Sequence, residues 1–175
     1  MGNPSDEGEV LSRKLHNIFR LLYLQFAFYW ATIAAGMFVN YYYAVPATVN
    51  PDLGSILQQF ITSAPLFAHV TFAVLSSGMS IPVIILARRV GLKQVVWLHA
   101  GAIGCRMVGF VTGPLFIYFS TSAVSDPYAS NISTFVMASV FLMAVILSFM
   151  SRIFIVREDV RVKYVMASPP AMKVP

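Results

Sequence analysis

The sequence has little charge, and acidic residues are its scarcest component. Charged residues make up 11% of the 175 positions and only seven are Asp or Glu, whereas hydrophobic residues make up 58%. A soluble domain is charged at about a quarter of its positions. The shortage therefore argues against a soluble globular protein and favours a single domain embedded in a membrane.

Several chemical signatures are also missing from the sequence. Cys105 is the only cysteine, which excludes an intrachain disulfide, so cysteine usage gives no information on the redox compartment. No Cys and His residues have the spacing of metal ligands, and there is no phosphate-binding loop, GxSxG elbow or HExxH motif. The net charge of +5 comes from basic blocks beside apolar segments, so we predict no nucleic-acid partner.

What the sequence does contain is four long apolar runs, at residues 21–43, 64–87, 94–120 and 131–156. A helix of about 20 residues, rising ~1.5 Å per residue, crosses a hydrocarbon core of ~30 Å. We therefore predict an all-α, integral membrane four-helix bundle in a lipid bilayer. Residues 1–20 form a polar N-terminal segment in this interpretation, and residues 157–175 form a C-terminal tail. A short helix is expected between the first two runs, at residues 53–61.

The distribution of Lys and Arg predicts the topology of the bundle. Three lie before the first span, three in the turn at residues 88–93 and five from Arg152 onward, whereas the other two loops have none. Because cytoplasmic loops carry the excess of Lys and Arg, both termini and this turn are expected to face the cytoplasm. We expect a multi-pass protein of the cell membrane, of the bacterial or archaeal type.

Two local patterns predict departures from straight transmembrane helices. Pro82 lies inside the second span, where it should bend the helix and leave the carbonyl of Gly78 without its usual donor. The tail alternates from Val160 to Val165, a pattern typical of an edge strand or of an extended segment that docks on a partner. The other interpretation of the tail is a frayed end of the last helix, before Pro169.

Arg106 is the most unusual residue in the apolar runs. Counted from residue 94, it lies ~18 Å into a ~30 Å core, where a cation costs at least ~2.5–3.5 kcal/mol. All seven acidic residues lie outside the four spans, so the chain offers no carboxylate at that depth. Charges inside a membrane are functional by default, and the alternative is a structural arginine held by backbone and hydroxyl oxygens.

Four kinds of group are candidates to satisfy Arg106. The first is internal: a polar lining of Ser76, Ser77 and Gly78 on the second span, with Ser80 nearby, and the ring face of Trp30 on the first. The others are a carboxylate of a partner subunit, an acidic cofactor such as a haem propionate, and a permeating anion. Each candidate implies a different function.

A column of small residues lies on the same helix as Arg106. Gly101, Cys105, Gly109 and Gly113 recur every four residues, and the last pair forms a GxxxG sequence. Small residues at this spacing allow two helix backbones to approach closely. The helix that packs on this column belongs either to the same chain or to a second subunit.

The histidines of the spans raise the question of haem. His99 precedes Arg106 by seven residues, two helical turns, so both lie on one face. His69 lies near the opposite membrane surface, at an axial offset of ~20 Å from His99. Two ligands of one iron lie within ~4 Å of each other, so one chain cannot hold a single haem between the two. Haem b is a candidate cofactor only if each histidine pairs with another ligand, such as Met79, Met107 or a partner residue.

These observations support three classes of function. The leading one is a non-catalytic subunit of a larger membrane complex, of a respiratory or other energy-transducing kind, in which Arg106 pairs with a partner or cofactor. The second is an electron-transfer protein that binds b-type haem or quinone through His69, His99 and Arg106. The third is an oligomeric anion channel or transporter. The expected partners are other membrane subunits or further copies of the chain. Catalysis is not predicted, because no carboxylate lies in the spans and no base lies beside their serines.

Overall fold

The computed structural model describes residues 4–42, 52–121, 124 and 126–167, and every regular element within them is a helix. The helices are α1 Pro4–Tyr42, α2 Leu53–Thr62, α3 Ala64–Gly78, α4 Ser80–Arg89, α5 Lys93–Ser120 and α6 Pro127–Ala167. Four stretches are long and apolar enough to cross a membrane: Gly8–Val39, Ala64–Arg89, Lys93–Ser120 and Pro127–Tyr164. The predicted all-α, four-helix membrane bundle is confirmed.

The turn between α4 and α5 fixes one end of the bundle. Gly91 has a φ of 78°, in the left-handed region that glycine adopts without strain, so the chain reverses within a few residues. Arg88, Arg89 and Lys93 flank the turn. The start of α1 and the end of α6 lie at the same end, which we call the basic end.

The interior at the basic end is apolar. Buried residues of α1, α4, α5 and α6 form what we call the basic-end cluster: Leu15, Ile18, Leu22, Val83, Ala87, Val95, Ile155 and Val162. Each is at most 8% exposed. The first part of α1 and the last part of α6 therefore belong to the packed bundle.

The interior at the other end is also apolar. The short helix expected at residues 53–61 is present as α2, and its Ile56 packs into this interior. The carboxylate of Asp52 caps α2, accepting hydrogen bonds from the amide of Ser55 at 2.9 Å and from its hydroxyl at 2.6 Å. These hydrogen bonds hold the pKa of Asp52 below its usual value. The buried residues here form the opposite cluster: Val39, Ile56, Leu66 and Ile117.

The second span is interrupted near the predicted bend at Pro82. The carbonyl that accepts a hydrogen bond from another helix is that of Ser76, and not the predicted one of Gly78. α3 ends at Gly78 and α4 begins at Ser80. Pro82 has no N–H to donate to the carbonyl of Gly78, and Gly78 itself is exposed. The carbonyl of Ser76 is the one that accepts from another helix, through Nε2 of Gln25 at 2.9 Å.

The first and last helices are longer than the apolar runs. α1 has 39 residues and α6 has 41. At ~1.5 Å per residue, α6 is about 60 Å long, twice the ~30 Å of a hydrocarbon core. The polar N-terminal segment is thus helical from Pro4, and both helices are longer than the thickness of a hydrocarbon core requires.

The tail is helical as far as Ala167, so the edge-strand interpretation of Val160 to Val165 is wrong. Two ion pairs between neighbouring turns, Glu158–Arg161 at 3.6 Å and Asp159–Lys163 at 2.6 Å, suit a helix rather than a strand. The end of the tail with Pro169, and the predicted end of the first span at Tyr43, lie outside the described residues.

Candidate functional site

A buried polar layer lies between the two apolar clusters. All four membrane-crossing stretches contribute to this polar layer, which consists of Gln25, Tyr29, Ser76, Ser80, His99, Arg106, Ser148 and Ser151. Each of these residues is at most 5% exposed. Buried polar groups need hydrogen-bond partners, and these side chains find most of theirs in one another.

The hydroxyl of Ser80 is the centre of the layer. Nε2 of Gln25 and Nη1 of Arg106 each donate a hydrogen bond to its oxygen at 2.8 Å, and Nδ1 of His99 lies 3.2 Å from the same oxygen. A serine hydroxyl has two acceptor lone pairs and one proton. Because the two N–H donors occupy both lone pairs, the proton of Ser80 is donated to His99.

This count assigns the tautomer of His99. Nδ1 accepts from Ser80, so the ring hydrogen is on Nε2, which donates to Oγ of Ser151 at 3.0 Å. The hydroxyl of Ser151 donates in turn to the carbonyl of Ser148 at 2.6 Å. His99 is therefore neutral, and both of its nitrogens are engaged. A proton on Nδ1 would force the Ser80 oxygen to accept a third hydrogen bond, and one of its present donors would lose its partner.

Arg106 is held by neutral oxygens and an aromatic ring. Besides its bond to Ser80, its Nη2 donates to Oγ of Ser148 at 3.4 Å, and its Cζ lies 5.0 Å from the centre of the Tyr29 ring. In the described part of the chain, no carboxylate forms an ion pair with it. Hydrogen bonds to a charged group contribute ~1.5–3 kcal/mol each and a desolvated cation–π contact ~2 kcal/mol. Together these contributions are large enough to offset the ~2.5–3.5 kcal/mol that the buried cation costs on insertion scales.

The charge of Arg106 lies closer to the basic end than its backbone does. Side chains of an α-helix point toward its N-terminus, and α5 begins at the basic end. Its acceptor Ser148 is only about 6 Å along α6 from Arg152, the first cation past the span. The depth of ~18 Å estimated from the sequence applies to the backbone of Arg106 and not to its charge.

Two polar atoms of the layer have no hydrogen-bond partner among the residues that the structure describes. They are Nε of Arg106, a donor, and Oε1 of Gln25, an acceptor, and both are buried. A buried unpaired polar atom costs about 1–3 kcal/mol. The layer is therefore not arranged for maximal stability alone, and it can form one more hydrogen bond of each kind.

The predicted polar lining differs from the groups that contact Arg106. The hydroxyls of Ser76 and Ser77 both donate to a carbonyl of their own helix, at 2.9 and 2.7 Å. Trp30 is 71% exposed. The ring that faces Arg106 belongs to Tyr29 instead, because one residue along a helix rotates the side chain by about 100°.

The column of small residues on α5 lies against helices of the same chain. A Cβ added at Gly101 or Gly109 would lie 3.3 or 3.7 Å from side chains of α6, and one added at Gly113 would lie 3.9 Å from a side chain of α2. Cys105 is partly buried. The column thus allows the close packing of α5 on α6.

His69 lies outside the polar layer. Its Nδ1 donates to the carbonyl of Thr32 on α1 at 3.0 Å, and a Cβ added at Gly36 would lie 2.9 Å from its Cε1. Thr32 is two helical turns from Gln25, so His69 and His99 are about 10 Å apart along the bundle. This is half the offset expected from the sequence, yet it is still far more than the ~4 Å between two ligands of one iron.

Half of the polar layer was not predicted from the sequence, namely Gln25, Tyr29, Ser148 and Ser151. Two of these residues could have been predicted, because Gln25 and Tyr29 are four residues apart in an otherwise apolar run and so share one helix face. The serines of α6 gave no comparable signal, because serines in apolar helices commonly bond to their own backbone.

The comparisons with known proteins add no further residues to this site. No protein-family model, curated protein or solved structure matches the chain. The function of the chain must therefore be inferred from its structure, and two features are used for this below. One is the hydrogen-bond network around Ser80, and the other is the last part of α6, beyond Ser151.

Proposed function

We propose that this chain is a non-catalytic subunit of a larger membrane complex, and that α6 binds the partner protein where it extends past the membrane. A row of exposed apolar side chains on that part of α6 carries the proposal. We call it the outer stripe: Ile153, Val156 and Val160 are 56%, 42% and 60% exposed. Spacings of three and four residues put them on one helix face.

The outer stripe lies in a polar environment. α6 continues for about 24 Å from Ser151 to Ala167. Charged residues begin at Arg152 and follow at five more of the next eleven positions: Arg157, Glu158, Asp159, Arg161 and Lys163. Such a composition belongs to headgroups and water rather than to hydrocarbon. An exposed apolar helix face in that environment is typical of helices that bind a groove on another protein.

The outer stripe is not needed to hold α6 in the bundle. The opposite face of the same segment performs that role, because Ile155 and Val162 are 0% and 8% exposed and pack in the basic-end cluster with Leu15. Burial of a Val or Ile side chain contributes roughly 1.5–3 kcal/mol. Three such side chains can therefore form the apolar centre of a binding surface, to which further contacts must add before the cost of association is offset.

The interior of the bundle supports a structural role. The polar layer is enclosed by the basic-end cluster on one side and by the opposite cluster on the other, and members of both clusters are at most 9% exposed. A polar solute crossing within one chain would have to part both clusters. Arg106 also has contacts within its own chain, so its charge gives no reason to require a partner carboxylate.

The sharpest test compares two glutamate substitutions on α6 after gentle solubilisation. Native electrophoresis with protein identification should find the wild-type chain in one complex with a second protein. Val160→Glu should release that protein, because a carboxylate in an apolar contact loses its hydration. Arg161→Glu, an exposed neighbour on another face, should leave the complex intact. A wild-type chain that runs alone or only with copies of itself, or a complex that survives Val160→Glu, would contradict the proposal.

Anion transport is a second candidate function, and one observation favours it. Nε of Arg106 is a buried donor without a protein partner in the described residues, and an anion could accept from it. Liposomes that contain the purified chain test this candidate by anion flux. A subunit without transport function gives equal flux for wild type, Arg106→Gln and Ser77→Ala. Flux that falls only for Arg106→Gln would support transport and contradict a purely structural interior.

The histidines do not fit a shared haem, and both nitrogens of His99 are already engaged. Binding of iron to His99 would require it to give up Ser80 or Ser151. His69 donates from Nδ1 to a backbone carbonyl, an arrangement that leaves Nε2 as the nitrogen an iron would bind. An absorption spectrum of the natively purified protein checks this directly. A Soret band from haem bound to this chain would overturn the structural proposal in favour of electron transfer.

A further inference from the structure

A groove on the outer surface of the bundle, between α1 and α6, carries an inference that is independent of the partner. Phe19, Leu22, Tyr23, Phe26 and Arg152 line it. Arg152 lies one residue past Ser151 of the polar layer, toward the basic end. Arginine and tyrosine side chains at the end of an apolar span are typical of the headgroup level of a membrane.

Arg152 has hydrogen-bonding capacity to spare. Its Nη2 donates to the hydroxyl of Tyr23 at 3.0 Å, and its Cζ lies 5.1 Å from the centre of the same ring. A guanidinium has five N–H donors in a planar fork that matches two oxygens of a phosphate. The Tyr23 contacts hold the fork in one orientation at the mouth of the groove and leave most of its donors for another group.

The charge around the groove is positive. Arg20 precedes Tyr23 by three residues, so it is exposed on the same face of α1. In the part of the chain whose side chains are described, Glu9, Glu158 and Asp159 are the acids of the basic end, and all three pair within their own helices. No described carboxylate therefore competes for Arg152.

The membrane side of the groove is apolar and aromatic. Leu22 is 1% exposed and forms its floor. Phe26 contacts Phe149 of α6 edge to face, with ring centres 6.3 Å apart, so the two rings close the groove toward the membrane interior. A lipid lying here would place its acyl chain along these rings and its phosphate beside Arg152.

We propose that this groove binds one phospholipid with an anionic headgroup, its phosphate held by Arg152 and its charge favoured by Arg20. Basic residues near a membrane surface favour anionic lipids by about fivefold each. Two of them give a preference of roughly 25-fold for an anionic over a zwitterionic lipid with the same acyl chains.

Native mass spectrometry tests this lipid preference. The full-length protein in neutral detergent is titrated with phosphatidylglycerol or with phosphatidylcholine that has identical acyl chains. The wild type should prefer phosphatidylglycerol roughly 25-fold, and Arg152→Gln should reduce the preference about fivefold. Tyr23→Phe should reduce it less than Arg152→Gln does, because that variant loses the hydroxyl that orients the fork but keeps the cation. Arg161→Gln should keep it, because it removes the same charge away from the groove.

Two further measurements distinguish a phospholipid site from a site for any anion and from a general effect of charge. Arg152→Lys keeps the charge but not the fork, so its preference should fall between those of the wild type and Arg152→Gln, and it also serves if the glutamine variant folds poorly. Excess inorganic phosphate should not displace the lipid, whereas full displacement would mean a plain anion site and would overturn the proposal. Equal losses in Arg152→Gln and Arg161→Gln, or none in Arg152→Gln, would overturn it as well.

Discussion

The hydroxyl of Ser80 takes part in three hydrogen bonds in the interior of this bundle. Its oxygen accepts from Gln25 on α1 and Arg106 on α5, and its proton is donated to His99. One hydroxyl thus joins three helices and determines the tautomer of the histidine. Such shared hydroxyls are hard to predict from sequence, because the sequence does not show whether a serine bonds to its own helix or to another.

Removal of this hydroxyl should destabilise the bundle more than removal of a neighbouring one. Ser80→Ala leaves two buried donors and one acceptor without their partner, so we expect a loss of about 2–4 kcal/mol in the free energy of unfolding. Ser77→Ala is the control, because that hydroxyl bonds only to a carbonyl of its own helix, and it should change stability by less than ~0.5 kcal/mol. Reversible unfolding in detergent measures both. Equal losses would mean that the Ser80 network does not stabilise the fold.

Arg106→Met should be tolerated better than Ser80→Ala. A methionine of similar length removes a buried cation, while Ser80 keeps Gln25 and His99, and Ser148 keeps Tyr29. Replacement of buried charges by apolar side chains is often neutral or stabilising, so we expect a change within ~1 kcal/mol of the wild type.

Arg106→Lys is the informative comparison for this residue. Lysine keeps the buried charge but cannot span Ser80 and Ser148 with a planar fork, so it should be less stable than the methionine variant. The same unfolding experiment ranks the three proteins. A methionine variant as unstable as Ser80→Ala would show that the arginine is retained for stability, which would remove the main reason to look for a role of its charge.

At the scale of helices, hydropathy located all four spans but not the full length of the first and last. Near the end of α6 the alternation of Val160, Val162 and Tyr164 with charged residues resembles a strand, and the packing of Val162 in the basic-end cluster resolves the ambiguity in favour of a helix. The interruption after Gly78 was predictable from Pro82. The use of the Ser76 carbonyl was not, since it depends on Gln25 of another helix.

The contact between α1 and α3 leads to a prediction about one glycine. A Cβ at Gly36 would lie 2.9 Å from Cε1 of His69, whose ring is fixed by the carbonyl of Thr32. Gly36→Ala should therefore push the ring away and destabilise the bundle by about 1–3 kcal/mol. Gly104→Ala is the matched control, because a Cβ there meets nothing within 4 Å.

The control should leave stability unchanged or raise it by up to ~1 kcal/mol, since alanine favours a helix over glycine. Thermal melts in one detergent compare the two variants with the wild type. A Gly36→Ala variant as stable as Gly104→Ala would mean that the contact between His69 and α1 is loose.

At the scale of the whole molecule, the bundle is a stack of two apolar clusters with a polar layer between them. Composition and charge distribution were enough to predict the bundle, because membrane solvation constrains them strongly. The polar layer could not be assembled in the same way, since it depends on how four helices are rotated about their axes. Arg106 and His99 were singled out from the sequence as unusual, but their hydrogen-bond partners were found only once those rotations were known.

The orientation of this stack in the membrane follows from its charges and can be tested by labelling. Ten of the twelve Lys and Arg residues lie at the basic end within the described residues, and Arg106 is inside the bundle. Basic segments are retained in the cytoplasm, so this end should face it.

In a Cys105→Ser background, an impermeant maleimide should label Tyr128→Cys in intact cells and Arg161→Cys only after permeabilisation. Both positions are exposed, at opposite ends of α6, so they differ in side and not in access. Labelling of Arg161→Cys in intact cells would place the outer stripe outside the cell, where no cytoplasmic partner could reach it.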